Sequence, residues 1–483
     1  MTSRQWRAAC VLGITLLFSY AYYYQAGGWN QNSRFALVRA VLERHTLQID
    51  AYQLHTGDRA IWRGHYYSDK APGASLLALG PVQAARVVSR RTGVDPASFP
   101  GIAWTSYVAA VVTSGVFTVI AALGVFWLSL RWGASLGGAL FAATAYGLAS
   151  PAWAYATLFI GHGQAAGCLI VAFAAADALA EPNAHRRALA AIVGLSGSWA
   201  VVTEYQTAIP AILIGLMALA QVRHEDRREV MTITGAIAAG VAIAAMPLFV
   251  YNALAFDSPF HIGYSSEEGF KELQTGLFGI TYPKLSTVWE LLFGSYRGLL
   301  PLSPLMALAP IGLVRLARRG RVGPVAVASA IGVYYLLLNA SYFFWEGGWF
   351  YGPRQISPAL PFLALGLAPL WDQVQVRRAA RATLVAGLIW GVAVTLIAVS
   401  TTPQPPSSFK APMRELLWPA FRDGDLSLNH QTFVHGGADA NRLRGGTIPH
   451  AAWNLGELAG LHGLPSLLPL GAAWTAAGLL LLL

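Results

Sequence analysis

The chain has 483 residues, of which 55% are hydrophobic and only 12% charged, with a mean hydropathy of +0.48; ordinary soluble proteins carry about 25% charge. That balance excludes a soluble enzyme, a coiled coil and a disordered regulator, and leaves an all-α integral membrane protein. The net charge of +10 comes from 29 arginines and 4 lysines against 23 acids, scattered through short connections rather than gathered in one stripe, so nucleic acid is not an expected partner.

Apolar stretches near spanning length run over 8–26, 102–130, 135–150, 157–179, 188–202, 208–221 and 231–254. After a long loop they resume over 300–314, 322–341, 356–370, 383–400 and 464–483. Together they predict about twelve transmembrane helices, with a range of about 11 to 13. The first run leads into Tyr20, Tyr22, Tyr23 and Tyr24 with no small-residue cleavage site before them, so it reads as an anchored span with an interfacial aromatic belt rather than a signal peptide. Cys10 and Cys168 lie in apolar runs and predict neither a disulfide framework nor a thiolate metal site.

Basic residues in short loops mark the cytoplasmic side. Placing Arg4 and Arg7 inside also puts Arg131, Arg186 and Arg187, the Arg223–Arg228 cluster, the Arg315–Arg321 cluster and Arg377–Arg381 inside, and leaves Arg354 as the only basic residue in a short outward loop. The expectation is a multi-pass inner-membrane protein with a cytoplasmic N-terminus. The apolar stretch 71–88 carries Pro72, Pro81 and Arg86; counted as a span it would invert every later loop, so it is predicted to be an interfacial or re-entrant helix on the outer side. The chain then forms one polytopic domain, 1–483, with outward segments at 27–101, 255–299 and 401–463.

The first segment holds the densest chemistry. Trp29, Asn30, Gln31, Asn32, Ser33, Arg34 and Phe35 open it, and the spacing of Phe35, Leu37, Val38, Val41 and Leu42 predicts a helix lying flat on the membrane surface. Asp50, Asp58 and His65, Tyr66, Tyr67, Ser68, Asp69, Lys70 follow, closed by Pro72-Gly73. An ammonium at lipid head-group height suits a phosphate whose tail stays in the bilayer, although Lys70 equally reads as a snorkelling lysine. Elsewhere His162, Glu204 with Tyr205, and the Glu346–Arg354 turn place ionisable groups at the outer ends of spans, where they are costly and suggest function. Helix packing explains His162 and Glu204 as well. In the second outer segment Arg297 is either a phosphate clamp or an interfacial anchor, and the last segment, with Pro403, Trp418, His430, Asn441 and Trp453, reads as a lid without a nominated site residue. No Walker, HExxH, CxxC or GxSxG run is present.

The arrangement of a first span, a long outer loop opening on a polar run that ends Arg-aromatic, a helix, and then aromatic, acid, Lys and Pro resembles the GT-C superfamily of multi-spanning glycosyltransferases. It is most similar to the protein mannosyltransferase and aminoarabinose-transferase type, glycosyltransferase family 39-like, over roughly the first hundred residues. The resemblance implies a GT-C-like architecture and transfer of a sugar from a polyprenyl-phosphate carrier to an acceptor hydroxyl outside the cytoplasm. It maps Arg34, Asp69 and Lys70 onto the family's arginine, acid and lipid-phosphate lysine. Gln31 and Asn32 stand where the family carries its acidic pair, and an amide cannot take a proton at neutral pH. Another carboxylate must be the base. Asp50 is favoured, with Asp58 and Asp69 in the same loop and Glu204 and Glu346 approaching from other spans. Lys70, Arg34, Arg354 and Arg297 are the expected phosphate-binding cations. Asn32, His65, Tyr66, Tyr67, His162, Glu204, Tyr205, Glu346 and Trp349 are the expected substrate contacts, with Trp345 as a further wall. No cofactor is certain; a divalent cation beside Asp69 and His65 stays open. The alternatives are a non-catalytic carrier-binding or assembly protein, and a transporter or flippase of lipid-linked substrates.

Overall fold

The computed structural model describes residues 1–181, 185–374, 377–429, 431–434 and 451–482; His430 and Asn441 lie outside them. The first half contains α1 (Ser3–Ala21), β1 (Tyr23–Tyr24), α2 (Trp29–Arg44), β2 (Ala60–Trp62), β3 (His65–Tyr67), α3 (Gly73–Arg91), α4 (Phe99–Ala110), α5 (Val116–Arg131), α6 (Leu136–Gly147), α7 (Ala152–Ala156), α8 (Gly161–Ala178), α9 (Arg186–Thr203), α10 (Ala208–Val222) and α11 (Arg227–Phe256). The second half adds α12 (Leu285–Phe293), α13 (Leu299–Leu302), α14 (Ala309–Arg318), α15 (Val322–Ser341), α16 (Leu360–Ala364), α17 (Leu367–Gln373), α18 (Arg378–Thr401), α19 (Trp418–Asp423), β4 (Trp453–Asn454), α20 (Leu455–Leu458) and α21 (Leu468–Leu482).

Helix falls at each apolar stretch of the sequence. Six segments among the described residues are long and apolar enough to cross a membrane by length and composition: 99–131, 205–222, 227–256, 322–341, 378–401 and 464–481. The first of these joins α4 to α5 through a π-turn at Val111–Gly115. Helix starts follow ordinary capping: Thr2 and Gln5 form a capping box at α1, Ser98 caps α4 ahead of Pro100, and Asp226 accepts from the Glu229 N–H at α11.

Helices that follow one another in the chain alternate in direction, so α5 runs parallel to α8 and α9 parallel to α11, which sorts the charges. One end of the bundle gathers Arg131 on Asp177 at 2.7 Å and Arg186 on Glu225 at 3.1 Å. The opposite end gathers the start of α8, the end of α9, the start of α10 and the end of α15, and the long connections fold over it.

The segment expected to lie flat differs from expectation. The helix α2 begins at Trp29, includes the polar run, and is buried through Gln31–Val38; its apolar face is covered by protein, with Phe35 edge-on to Phe159 and Phe433. Its C-terminal end is tied down by Glu43, which takes Arg86 at 2.6 Å from α3, Arg39 at 3.1 Å and the Tyr52 hydroxyl at 2.7 Å. The stretch expected to be an interfacial or re-entrant helix forms α3, packed through Ala74, Ala78, Val82 and Ala85.

Two glycines let α9 and α11 approach closely. A Cβ on Gly194 of α9 would overlap the Ile237 carbonyl of α11, and one on Gly240 of α11 would meet the Ala191 carbonyl at 2.5 Å; backbones this close are how apolar helices associate in lipid. Gly194→Val should cost about 1–3 kcal/mol through overpacking, read as a lower unfolding midpoint in detergent. Glu43 supplies a second test. Burial opposes its ionisation, but Arg39, Tyr52 and Arg86 outweigh burial and hold its carboxyl below the ordinary 4.5. Its contribution is complete above about pH 4.5 and is lost as the pH falls through the folded value. Thermal stability should decline on acidification, and Glu43→Gln should be less stable at neutral pH with a flatter acid limb.

Candidate functional site

The site is assembled where the three long connections meet the bundle. Arg34 of α2 is 1% exposed and donates from Nη2 to Glu204 Oε1 at 2.6 Å, from Nη1 to the Ala71 carbonyl at 3.0 Å, and from Nε to Asn30 Oδ1 at 3.2 Å. Glu204 caps the C-terminal end of α9. One guanidinium therefore fixes α2, the turn after Lys70 and the end of α9. That turn sits against α9 because Gly73 carries no side chain; a Cβ there would meet Thr203 Oγ1 at 2.6 Å and the Val202 carbonyl at 2.7 Å.

Next to it, Lys70 Nζ lies 2.6 Å from Asp69 Oδ2 and 2.9 Å from Asp58 Oδ2. Asp69 also accepts from Ser33 Oγ at 3.2 Å. Burial disfavours charge on Lys70, but Asp58 and Asp69 more than offset it and hold the ammonium protonated, its pKa above that of a free lysine. Burial lifts the Asp69 carboxyl above its ordinary value, with Lys70 pulling the other way. The second connection covers this group. Gly263 rests on the Asp69 backbone, and the Tyr264 ring stands 5.4 Å from Lys70 Nζ.

Two cavities adjoin here. The larger, about 420 Å³, is lined by Asp58, Asp69, Lys70, Tyr264, Tyr342, Trp349, Arg354, Gln404 and Gln431 among others. The smaller, about 280 Å³, has apolar walls from Ile209, Leu277, Phe278 and Leu338 and a polar floor of His162, Glu204, Tyr205, Gln206 and Asn339. Asn30, Tyr264, Leu273, Tyr342, Arg354 and Gln355 line both. Arg354 stacks on Phe350 at 4.5 Å, and its Nε is buried without a hydrogen-bond partner. His162 Nδ1 also has none and stands 4.0 Å from Glu204 Oε1.

Of the sequence candidates, the structure thus brings Asp58, Asp69, Lys70, His162, Glu204, Tyr205, Trp349 and Arg354 to the cavities. It places the others elsewhere. Asp50, the favoured base, is at the surface with His65 Nδ1 at 2.8 Å and the Tyr66 N–H at 2.6 Å. Its position follows from β2 and β3, which pair Ala60 with Tyr67 and turn His65 outward. Tyr66 lies under Arg59 at 4.7 Å, and Tyr67 packs on Phe256 at 5.2 Å. Arg297 is fully buried and spends its donors on the carbonyls of Glu346, Gly348 and Tyr296 at 3.0, 2.6 and 3.3 Å; it braces the Gly-rich turn instead of facing a ligand. Glu346 and Trp345 line neither cavity. Of the two residues beside which a divalent cation stayed open, His65 bonds Asp50 while Asp69 is held by Lys70 and Ser33; among the described residues no group of three His, Cys, Asp or Glu is placed to share a metal.

Gln31 and Asn32 acquire a physical account. Asn32 Nδ2 donates to the carbonyls of His55 at 2.7 Å and Thr432 at 2.9 Å, while its Oδ1 accepts the Gly28 N–H. Gln31 Oε1 accepts the Phe159 N–H at 2.7 Å and its Nε2 donates to Ala26 and Gln404. An amide both donates and accepts where an ionised carboxylate only accepts, so a carboxylate in either place would face carbonyl oxygens. Sequence reasoning missed this clasp, together with Gln404 and Gln431, because its partners are some 370 to 400 residues apart. It also missed Tyr264, Tyr342 and Gln355, although Gln355 directly follows the nominated Arg354.

No protein-family model matches the chain, and no curated protein matches it in sequence. Among solved structures it is similar to ArnT from Cupriavidus metallidurans in the apo state, with 14% identity and a TM-score of 0.53 over 92% of this chain and 72% of that one. It is also similar to the same ArnT bound to undecaprenyl phosphate, with 14% identity, 0.46, 82% and 71%. The archaeal oligosaccharyltransferase AglB from Archaeoglobus fulgidus, in complex with an inhibitory peptide and a dolichol-phosphate, gives 11% identity, 0.47, 89% and 60%. The fold is GT-C-like. Asn32→Asp should destabilise the protein by about 1–3 kcal/mol, because two carbonyls lose their donor. Its unfolding midpoint in detergent, compared with that of Asn32→Ala, checks the sign of the charge effect.

Proposed function

We propose that the protein is a membrane glycosyltransferase that moves a sugar from a polyprenyl-phosphate carrier to an acceptor hydroxyl on the extracytoplasmic face. The observation that carries this reading is the meeting of Asp58, Asp69, Lys70 and Arg354 in one aromatic-walled cavity, directly joined to an apolar-walled one. Fold alone does not assign chemistry; the site supplies it. An isoprenoid tail needs apolar walls, its phosphate needs cations, and the attacking hydroxyl needs a proton acceptor.

In this mechanism the acceptor oxygen bonds to the anomeric carbon as the bond from that carbon to the lipid-phosphate oxygen breaks. Asp69 takes the hydroxyl proton, and its burial, which raises its carboxyl's affinity for a proton, suits it to that task. Asp58 keeps Lys70 oriented. Lys70 and the unpaired Nε of Arg354 meet the charge growing on the departing phosphate, and Tyr264, Tyr342 and Trp349 wall the sugar from water. His162, Glu204 and Tyr205 contact the substrate portion in the smaller cavity. The amides at Gln31 and Asn32 favour a second reading, in which the protein binds the carrier without catalysis.

Binding of a short-chain polyprenyl phosphate to detergent-purified protein, followed by thermal shift, tests the site. Wild type should be stabilised, and Lys70→Ala and Arg354→Ala should lose most of that shift. With a sugar-loaded carrier, Asp69→Asn should keep the shift and lose about 10²–10⁴-fold in transfer. Full transfer by Asp69→Asn and Asp58→Asn would overturn the base assignment. Carrier binding with no transfer by wild type to protein, lipid or glycan acceptors would favour the non-catalytic reading, and no stabilisation of folded wild type would overturn both.

A further inference from the structure

Three residues lining the smaller cavity carry a buried polar atom without a hydrogen-bond partner: His162 at Nδ1, Asn339 at Oδ1 and Arg354 at Nε. They come from α8, α15 and the Gly-rich turn, and His162 and Asn339 are 4% and 0% exposed. The Asn339 amide is fixed in orientation, because its Nδ2 donates to the Trp345 carbonyl at 2.8 Å; its Oδ1 can only accept. His162 Nδ1 stands 4.0 Å from Glu204 Oε1, too far for a hydrogen bond. Buried polar atoms are ordinarily paired, so open ones brought to one cavity by three separate segments call for a ligand that pairs them. A prenyl chain laid on this floor would strand them instead.

The floor also selects by charge. Glu204 and Arg354 are the charged residues among those lining the cavity. Glu204 is already compensated, its Oε1 by Arg34 at 2.6 Å and its Oε2 by Gln206 Nε2 at 3.2 Å. Arg354 stands on the wall shared with the larger cavity, across which Lys70 is held by Asp58 and Asp69. Glu267, within electrostatic reach of Asp69, spends its oxygens on the N–H groups of Gly269 and Phe270 at 2.9 and 2.6 Å. Lys271 and Glu272, which precede the lining Leu273, are exposed and opposite in sign. An ammonium or a carboxylate on the floor would therefore meet no countercharge that is not already engaged, and a buried charge without a partner is costly. A hydroxyl both donates and accepts, so neutral hydroxyls suit Asn339 Oδ1 and His162 Nδ1 together.

Size and polarity agree. At about 280 Å³ the cavity falls below the range of about 300–1,000 Å³ that holds drug-sized ligands, which leaves room for one sugar ring. Ile209 and Leu277, 47% and 67% exposed, form its outer wall, so the lining passes from apolar rim to Arg354 to polar floor, the order of tail, phosphate and sugar in a lipid-linked sugar. We propose that this floor seats the carrier's sugar, that the sugar is a single uncharged ring, and that His162 and Asn339 read its hydroxyls while the phosphate stays on Arg354 and the tail passes over Ile209 and Leu277. The assignment rests on the carrier-dependent reading above and adds the class of sugar to it: a neutral pentose or hexose, in place of an amino sugar or a uronic acid.

Calorimetric binding to the detergent-purified full chain tests this, comparing farnesyl phosphate with farnesyl phosphate carrying glucose, mannose, galactose or arabinose, and with glucosamine and glucuronic acid as the charged counterparts. At least one neutral sugar should tighten binding about tenfold over the bare carrier, and neither charged sugar should. His162→Phe, which keeps a planar ring in the cavity wall, should remove most of that gain. Single deoxygenation of the sugar gives a readout on wild type that needs no variant to fold: one deoxy sugar should lose the gain, and in His162→Phe the same deoxygenation should cost nothing further. Binding of the bare carrier with no gain from any neutral sugar, a gain largest for a charged sugar, or a gain retained by His162→Phe and by every deoxy sugar would overturn the sugar seat and leave the carrier reading standing. No binding of any of these ligands to folded wild type would overturn both.

Discussion

The buried ion pair between Arg34 and Glu204 is the interaction on which the rest of the site depends. A guanidinium and a carboxylate removed from water are stable only when their remaining hydrogen-bonding capacity is met, and the loss of one partner strands the other at a cost of about 3–5 kcal/mol. Here the two ends belong to different layers, the first connection and the end of α9. Their pairing sets the height of α2 over the bundle and, through the Ala71 carbonyl, the position of the turn that delivers Lys70. Asp69 and Asp58 then hold Lys70, so five charged residues position one another across three chain segments before any ligand arrives.

Around this charged centre, neutral amides do the joining. Asn429 donates to the carbonyls of Gln25 and Gly27 at 2.6 and 3.0 Å, Gln404 donates to Gly27 at 3.0 Å, and Gln25 donates to Val399 at 2.7 Å. With Gln31 and Asn32 these side chains replace the regular backbone pairing that irregular connections lack, and they satisfy buried carbonyls that would otherwise be costly. Two carboxylates at positions 31 and 32 would add charge to a region already holding Asp58, Asp69 and Glu204. Amides there make the opening of α2 structural, and the carboxylates proposed for catalysis come from later in the loop.

Much of the fold was legible in the sequence because its strongest signal, apolar runs separated by arginine-bearing turns, is local. Helix falls at each predicted stretch, and the apolar 71–88 segment forms α3. Within the site, Asp58, Asp69, Lys70, His162, Glu204, Tyr205, Trp349 and Arg354 were recognisable as polar groups out of place in an apolar chain. The errors have a common origin. Asp50, His65, Arg34 and Arg297 were judged by residue type and proximity in sequence, whereas their roles are set by partners that no local pattern reveals. The donors of Arg297 are taken up by carbonyls 49 to 51 residues away, and His65 is turned outward by a three-residue strand pairing. The expected flat surface helix is replaced by a buried one because Phe159 and Phe433, rather than lipid, meet its apolar face.

The two-residue pairing of β1 with β4, Tyr23 to Asn454 and Tyr24 to Trp453, has a temporal meaning as well as a spatial one. Those strands lie at opposite ends of the chain, and Thr432, which receives Asn32, is almost as far along. As the polypeptide emerges from the ribosome, the first connection waits for nearly the whole sequence before its ceiling arrives. The compartment that holds Asp58, Asp69 and Lys70 is therefore closed late during biosynthesis, and a chain that stops short of residue 453 lacks both the strand that pairs with β1 and the last helix, α21.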